Sequence, residues 1–116
     1  MDAADYASAA PAFEEVTRAE EKNWRAFSRL GFCLAKQGHY ETAIGAFRRA
    51  TEINPRSSKL HYNLGQAYEL AGVPEEAMHE YDEALTVAPG YQLAEDGWKR
   101  VKQALDNQVA DQQEQP

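Results

Sequence analysis

The chain has 116 residues, of which 43% are hydrophobic and 27% charged, a composition that fits one folded domain and argues against wholesale disorder. Its 12 basic and 19 acidic side chains give a net charge of −7, which argues against binding to nucleic acid or to an anionic membrane. One cysteine excludes an internal disulfide and a cysteine-rich zinc site, and no apolar run reaches the roughly 18 residues of a membrane span. We therefore expect a cytoplasmic protein without a cofactor or a metal ion.

The N-terminal segment, residues 1–23, is predicted to form a helix or a half-repeat that caps the chain. The helix is expected over roughly residues 10–22, with Pro11 near its start, where a missing N–H group costs little. No glycine or proline separates this segment from Trp24, so fusion with the next helix into one longer helix is the alternative.

Residues 24–57 are predicted to form two helices. Apolar residues three and four positions apart indicate a first helix over about 24–37, and Gly38 ends it in a left-handed conformation. The second helix begins at Tyr40. It ends before Pro55, because the residue that precedes a proline is disfavoured in the helical region.

Residues 58–91 repeat this pattern without a gap at a spacing of 34 residues. Seven aligned pairs are identical, namely Leu30/Leu64, Gly31/Gly65, Gly38/Gly72, Glu41/Glu75, Ala43/Ala77, Ala50/Ala84 and Pro55/Pro89. In the second unit, Pro74 begins the second helix and is followed by two acids, which suit the positive end of a helix dipole. Neither unit can bury its apolar face alone, so we expect the two units to stack.

Residues 24–91 resemble the tetratricopeptide repeat family. The resemblance rests on one pattern present twice: Leu30-Gly31, Leu34, Gly38, Tyr40, Ala43, Phe47, Ala50 and Pro55, then Leu64-Gly65, Tyr68, Gly72, Ala77, Tyr81, Ala84 and Pro89. The copies depart from the family at an early tryptophan position, which Phe27 and His61 occupy, and Leu34 stands where tyrosine is usual. The resemblance implies an all-α fold, a right-handed α-solenoid of antiparallel helix pairs.

Residues 92–109 are predicted to form a C-terminal capping helix. Lys99, Arg100 and Lys102 give it a polar outer face, which the end of a solenoid requires. Residues 110–116 are polar and rich in glutamine, and we expect them to be disordered.

The resemblance also implies a concave groove, lined by the first helix of each unit, which accepts an extended peptide or a helix of a partner protein. The candidate partner-binding residues that face this groove by register are Arg25, Ser28, Phe32, Lys36, Lys59, Tyr62, Asn63, Gln66 and Glu69. Phe32 and Tyr62 are the expected anchors, since exposed aromatic side chains are typical of interfaces. The basic residues of the set suit an acidic peptide. Burial of the two aromatic residues under the N-terminal helix is the alternative.

Some members of the family hold the C-terminal carboxylate of heat-shock chaperones with lysine, arginine and asparagine side chains on successive first helices. Of these positions, the chain matches only Asn63. Ser28 and Phe32 stand at two of the others, and Leu93 and Gly97 stand at the third-helix pair. The resemblance therefore does not extend to that clamp.

Catalysis is not indicated. The three histidines His39, His61 and His79 are too far apart for a local metal-binding pair, and no general base is evident for Cys33. We expect a non-catalytic adaptor, co-chaperone or assembly factor that is a monomer or a weak homo-oligomer. The alternative is a structural self-assembly module that oligomerises through the ends of the solenoid or through its N-terminal helix.

The charge is unevenly distributed along the chain. The first 57 residues hold eight basic and eight acidic side chains, whereas residues 58–116 hold four and eleven. Arg48 and Arg49 align with Asp82 and Glu83, so opposite charges could meet across the seam between the two units. A solvated acidic face, partner docking and adaptation to high salt are the other interpretations.

Overall fold

The computed structural model describes residues 3–114, and all regular structure in that range is helical. In chain order the helices are α1 (Ala3–Ala19), α2 (Trp24–Lys36), α3 (Tyr40–Ile53), α4 (Ser58–Leu70), α5 (Pro74–Val87) and α6 (Gln92–Glu114). Each helix packs chiefly on its neighbours in the chain, and the molecule measures 54 × 31 × 22 Å. The predicted all-α solenoid of antiparallel helix pairs is confirmed. Within this range no helix has both the length and the apolar character needed to cross a bilayer.

The ends of the central helices are set by local side-chain and backbone chemistry. Gly38 and Gly72 end α2 and α4 with φ angles of 82° and 80°, a conformation in which other residues are strained. At the opposite ends, the Asn23 side chain accepts a hydrogen bond from the N–H of Ala26, and the Ser57 hydroxyl accepts one from the N–H of Leu60. These local interactions set the observed ends of α2 and α4.

The N-terminal helix differs from the prediction in two respects. A turn at residues 20–23 separates α1 from α2, so the alternative of one fused helix is wrong. The helix also begins at Ala3, which places Pro11 in its interior rather than near its start. Buried Ala10 and partly buried Tyr6 pack with α2 and hold the first turns in place, which outweighs the hydrogen bond that a proline removes.

The C-terminal helix is longer than predicted. It continues through Glu114, so the expectation of disorder is wrong for residues 110–114, and residues 115–116 lie outside the described residues. Leu105 is its last residue that packs on the core. Beyond Leu105 the helix extends from an anchored stretch, and extension is far more favourable than nucleation.

Close helix contacts in the core depend on glycine. A Cβ atom added to Gly31 would lie 2.9 Å from the Phe47 ring, closer than side chains tolerate. Tyr81 is fully buried and lies against two glycines, since a Cβ atom would approach its ring to 2.8 Å from Gly65 and to 2.6 Å from Gly97. Each unit therefore packs a large aromatic ring directly on the backbone of a neighbouring helix.

Candidate functional site

Two clefts lie side by side along α2 and α4, and together they form the surface that we call the concave groove. The α1-side cleft, of about 430 Å³, is lined by Tyr6, Ala9, Phe13, Ser28, Arg29, Phe32, Cys33, Lys59 and Asn63. The α3-side cleft, of about 360 Å³, is lined by Phe32, Ala35, Lys36, Tyr40, Phe47, Asn63, Gln66, Ala67 and Leu70. Phe32 and Asn63 line both clefts and so lie between them.

The two clefts are built from equivalent positions of successive repeats. Five residues of the α1-side cleft lie 34 positions before residues of the α3-side cleft, in the pairs Tyr6/Tyr40, Phe13/Phe47, Arg29/Asn63, Phe32/Gln66 and Cys33/Ala67. The helix α1 thus occupies the place in its cleft that α3 occupies in the next. This equivalence supports the interpretation of α1 as a half-repeat.

The groove carries basic side chains. A third cleft, of about 290 Å³, continues the surface past Arg25, Ser28 and Lys59. Among the described residues that line the three clefts, the charged ones are Arg25, Arg29, Lys36 and Lys59, and none is an aspartate or a glutamate. The lining of these three clefts is therefore basic, although the chain as a whole is acidic.

Phe32 is the aromatic side chain that the groove leaves open to solvent. It is 49% exposed, even though Tyr6 of α1 contacts its ring edge-on at a centroid distance of 5.5 Å. The Lys36 ammonium lies 5.3 Å from the ring centroid. The helix α1 thus supports Phe32 from one side without covering it, and its exposed face remains available for a partner.

Tyr62 does not lie free in the groove. It is half-buried between two other aromatic residues, at centroid distances of 6.0 Å from Tyr81 and 5.7 Å from Tyr91. The α1 helix does not supply these contacts, which come from α5 and from the turn before α6. We therefore place Tyr62 in the core between the second unit and the capping helix.

Glu69 is also engaged within the fold. Its carboxylate accepts a hydrogen bond from the Tyr81 hydroxyl at 2.8 Å and two from the Arg100 guanidinium, at 2.6 and 2.9 Å. The hydrogen bonds from Arg100, and then that from Tyr81, lower the pKa of Glu69. Burial, together with the Glu69 hydrogen bond, raises the pKa of Tyr81. The carboxylate joins α4, α5 and α6, and it takes no part in the lining of the three clefts.

The remaining predicted residues lie along the groove, with Arg25 at its edge. The exposed guanidinium of Arg25 stacks over the Trp24 ring at 4.4 Å from the centroid. Ser28 and Lys59 line both the first and the third cleft, and Gln66 lines the α3-side cleft. The structure thus brings seven of the nine predicted residues onto one surface, whereas Tyr62 packs on the core and Glu69 is paired with Arg100 within the fold.

Sequence reasoning missed Arg29, Tyr6 and Phe13 as groove residues. Arg29 lies 34 positions before Asn63, a predicted groove residue, so the repeat register contained the signal. Tyr6 and Phe13 belong to α1, whose packing on α2 could not be read from residues 24–91.

The expected pairing of two arginines across the seam between the repeats has a different outcome. Arg48 donates a hydrogen bond to the Tyr68 hydroxyl, and Arg49 donates to the carbonyl of Glu21 and lies 3.5 Å from Glu52. The expected pairing of these arginines with Asp82 and Glu83 is not among the ion pairs of the described residues. Tyr68 on the intervening helix α4 is the partner of Arg48, whereas the partners of Arg49 lie in the turn before α2 and on α3 itself.

His61 is a buried structural residue rather than a surface one. Its Nδ1 atom lies 3.0 Å from Glu80 Oε1, and its Nε2 atom lies 2.7 Å from the carbonyl oxygen of Pro55. Both neighbours are hydrogen-bond acceptors in their usual forms, so the ring links α4 to α5 and to the preceding loop. Among the described residues, no group of three histidine, cysteine, aspartate or glutamate side chains is arranged to hold a metal ion.

Comparison with known proteins agrees with this architecture. A family model described as "Tetratricopeptide repeat" matches residues 1–58 and 34–92. A small glutamine-rich tetratricopeptide repeat-containing protein 2 from Mycosarcoma maydis is 25% identical over 92% of this chain, which covers 30% of that protein. This chain spans between 5% and 34% of the length of three such curated relatives.

Two solved structures have the same fold. The first TPR domain of Spaghetti (RPAP3), bound to the HSP90 peptide SRMEEVD, superposes with a TM-score of 0.84 at 19% identity, over 89% of this chain and 82% of that one. YrrB, described as a TPR protein with an unusual peptide-binding site, gives a TM-score of 0.77 at 28% identity, over 81% of this chain and 48% of that one.

Proposed function

Because the chain belongs to the tetratricopeptide repeat family, whose domains mediate protein–protein interaction, we propose that its concave groove binds an acidic segment of a partner protein, as a peptide or a helix. The observation that carries this proposal is the charge of the groove. Four basic side chains line its three clefts without a single acidic one, on a chain whose net charge is −7. In this role the protein acts as an adaptor, a co-chaperone or an assembly factor.

Three kinds of contact support binding of a peptide. The exposed face of Phe32 offers an apolar anchor between the two clefts. The Asn63 amide lies at the same point and offers both a donor and an acceptor to the main chain of an extended ligand. Lys36 and Lys59 flank this centre on its two sides and favour association with an acidic segment.

The similar solved structures support peptide binding as the type of interaction. YrrB is described by its peptide-binding site, and the Spaghetti domain was solved with a bound acidic peptide. The specific carboxylate clamp is not part of the proposal, because this chain matches only one of the clamp positions, Asn63.

A library of random 15-residue peptides displayed on phage, selected on the immobilised full chain, tests the proposal. We expect enrichment of peptides that combine aspartate or glutamate with one large apolar residue. A synthetic copy of the best peptide should then bind Phe32→Ala and Lys59→Glu about 10- to 30-fold more weakly. Val87→Ala is the control, since Val87 is 41% exposed but lies outside the clefts. Enrichment of basic peptides, or equal affinity for all four proteins, would contradict the proposal.

Self-assembly through the solenoid ends or through α1 is the second candidate. The observation that favours it is the partly buried apolar side of α1, on which Phe13 and Val16 remain accessible. Sedimentation velocity over a hundredfold range of protein concentration distinguishes a monomer from a protein that self-assembles. A single monomeric species throughout would exclude self-assembly, whereas growing oligomers would favour it.

A cytoplasmic location is part of the proposal. Its support is the single cysteine, Cys33, which is buried and unpaired in the described structure, as expected in a reducing compartment. Fluorescence microscopy of the tagged full-length protein in its own cells is the measurement that checks it.

A further inference from the structure

The third cleft of the groove contains three cationic side chains. Arg25 and Arg29 lie four residues apart on α2, so they share one face of that helix, and Lys59 lines the cleft from α4. Among the described residues, no aspartate or glutamate lines this cleft of about 290 Å³. Like charges held this close repel one another, and an anion in the cleft would relieve that repulsion.

Within the described part of the chain, none of these three cations takes part in an ion pair. Arg25 stacks on the Trp24 ring, which leaves the charge of its guanidinium uncompensated. Glu20 and Glu21 lie on the turn before α2, but they line a different cleft. The ion pairs of the described residues use other basic side chains, namely Arg18, Arg49, His61, Arg100 and Lys102.

Neutral donors and two helix ends surround the cations. The hydroxyl groups of Ser28 and Ser57 and the amide of Asn63 line the same cleft, and each can donate a hydrogen bond to an oxygen atom. Ser57 is also the N-cap of α4, and Trp24, the first residue of α2, lines the cleft as well. The positive ends of two helix dipoles therefore lie beside the cations and add to the attraction for an anion.

The cationic cluster is confined to the seam between α2 and α4. One repeat later, the positions of Arg25, Arg29 and Lys59 are occupied by Lys59, Asn63 and Leu93. That set contains one cation instead of three. The cluster is therefore a property of these particular residues and not of the repeat scaffold.

We propose that the third cleft is a phosphate-binding subsite, which takes a phosphorylated serine or threonine of the partner segment. The inference rests on the proposed function, because the phosphorylated residue belongs to the same acidic segment that contacts Phe32 and Asn63. It adds a form of regulation, since phosphorylation of the partner strengthens its capture.

The chemistry of the cleft favours a phosphate over a carboxylate. A phosphate monoester carries nearly two negative charges at neutral pH, so it offsets three cations better than a carboxylate with a single charge. Its oxygen atoms also match the planar fork of a guanidinium, of which the cleft provides two. The net charge of −7 disfavours RNA or an anionic membrane as the source of the phosphate.

An NMR titration tests the subsite without a partner sequence. N-acetyl-phosphoserine amide is added to the ¹⁵N-labelled full chain, and N-acetyl-aspartate amide is the comparison. We expect shift changes centred on Arg25, Ser28 and Lys59, and binding of the phosphorylated compound that is at least about threefold tighter. Shift changes away from the third cleft, or equal affinity for the two compounds, would overturn the inference.

Two chain variants localise the binding. Arg29→Gln should weaken binding of the phosphorylated compound at least about fivefold. Lys99→Gln is the matched control, since it removes one exposed cation that lies outside the three clefts, and it should change the affinity less than about twofold. Equal effects of the two variants would show attraction by overall charge only and would overturn the inference.

The titration of the ligand provides a second readout. A phosphate monoester takes up a proton near pH 6, whereas arginine and lysine side chains are cationic from pH 5.5 to 7.5. No histidine or carboxylate lines the cleft among the described residues. The affinity should therefore fall about fourfold from pH 7.5 to pH 5.5, while that of the aspartate compound stays constant. Equal pH dependence of the two compounds would contradict recognition of a doubly charged phosphate.

Synthetic peptides connect the subsite with the groove. The acidic peptide selected on the full chain is prepared with each of its acidic residues replaced in turn by phosphoserine. One of these phosphopeptides should bind at least about tenfold more tightly than its parent, and Arg29→Gln should remove most of that gain. If the parent binds but no phosphopeptide binds more tightly, this inference is wrong and the groove proposal stands. If no acidic peptide is selected at all, both are wrong.

Further probes identify the source of the phosphate. Inorganic phosphate should bind at least about tenfold more weakly than the best phosphopeptide, because it makes no contact with the rest of the groove. Equal affinity for inorganic phosphate would overturn the assignment to a partner segment. Tighter binding to a 15-nucleotide polyuridine RNA, or to phosphatidylcholine vesicles that contain a phosphatidylinositol phosphate, would also overturn it.

Discussion

Gly31 and Phe47 are in direct contact, and a Cβ atom on the glycine would lie 2.9 Å from the aromatic ring. The contact brings α2 and α3 together, and the same arrangement recurs between Gly65 and Tyr81 in the second unit. The closeness of two helices in each repeat therefore depends on the absence of one side chain.

Gly31→Ala should destabilise the protein by about 1–3 kcal/mol, because the added methyl group forces the Phe47 ring out of its position. Gly45→Ala is the matched control. Nothing lies within 4 Å of a Cβ atom at Gly45, which is exposed in the middle of α3, so alanine should stabilise the helix by about 0.5–1 kcal/mol. Urea denaturation measures both changes. If both substitutions changed the free energy of unfolding in the same direction, the close contact between Gly31 and Phe47 would be contradicted.

The pair His61 and Glu80 should behave as one unit. The equivalent residues of the first repeat are Phe27 and Ala46, so the double variant His61→Phe/Glu80→Ala reproduces a pair that already works in this fold. Each single change should cost about 1–3 kcal/mol, because it leaves a buried polar group without its partner. The double variant should recover at least half of that loss. Strictly additive free energies in a double-mutant cycle would show that the two side chains are not coupled.

Glu69 should make the stability of the protein depend on pH below the ordinary glutamate pKa of 4.5. Its folded-state pKa is lowered by the hydrogen bonds from Arg100, so its contribution is complete above the unfolded value and is lost as pH falls through the folded value. Glu69→Gln should therefore be less stable than the natural protein at pH 7, by about 1 kcal/mol for this half-exposed pair. The difference should shrink as pH falls below about 4.5.

Thermal unfolding at several pH values measures this difference. Glu76→Gln, at an exposed position of α5, is the control for the loss of one negative charge. A difference between the natural protein and Glu69→Gln that stays constant over the whole pH range would contradict the role given to Arg100.

Phe32→Ala and Tyr62→Ala should lower the free energy of unfolding by different amounts. Phe32 is 49% exposed, so its removal should change the unfolding free energy by less than about 1 kcal/mol. Tyr62 packs on Tyr81 and Tyr91, and its removal should cost about 1–3 kcal/mol. Chemical denaturation of the two variants provides the comparison. The reverse order of stability would place Tyr62, and not Phe32, at the surface.

Helix boundaries and repeat stacking could be predicted because they depend on local chemistry. Gly38 and Gly72 end their helices by backbone conformation alone, and Pro55 stops α3 by sterics. Contacts between distant segments could not be predicted in the same way. Glu69 is engaged by Arg100, which lies 31 residues later on the helix that follows the two repeats, so neither repeat contains a pattern that pairs them.

The start of α1 was misjudged for a related reason. Pro11 is a normal signal for the first turn of a helix, and only the packing of Tyr6 and Ala10 on α2 extends the helix before it. The same helix supplies Tyr6, which lies before the predicted start, to the α1-side cleft, so the missed boundary and this missed groove residue have one cause. The packing of α1 on α2 determines both the start of the helix and the position of that residue.

The packing of each helix on its chain neighbours has a consequence for spectroscopy. The two tryptophans lie in different parts of the array, Trp24 at the start of α2 and Trp98 in α6, where its indole nitrogen is shielded from water. Because few contacts connect the two ends directly, fraying at one end need not disturb the other. The emission of a Trp98→Phe variant therefore reports on the N-terminal half, and that of a Trp24→Phe variant on the C-terminal half. The difference between their melting temperatures measures how strongly unfolding at one end of the molecule is coupled to unfolding at the other.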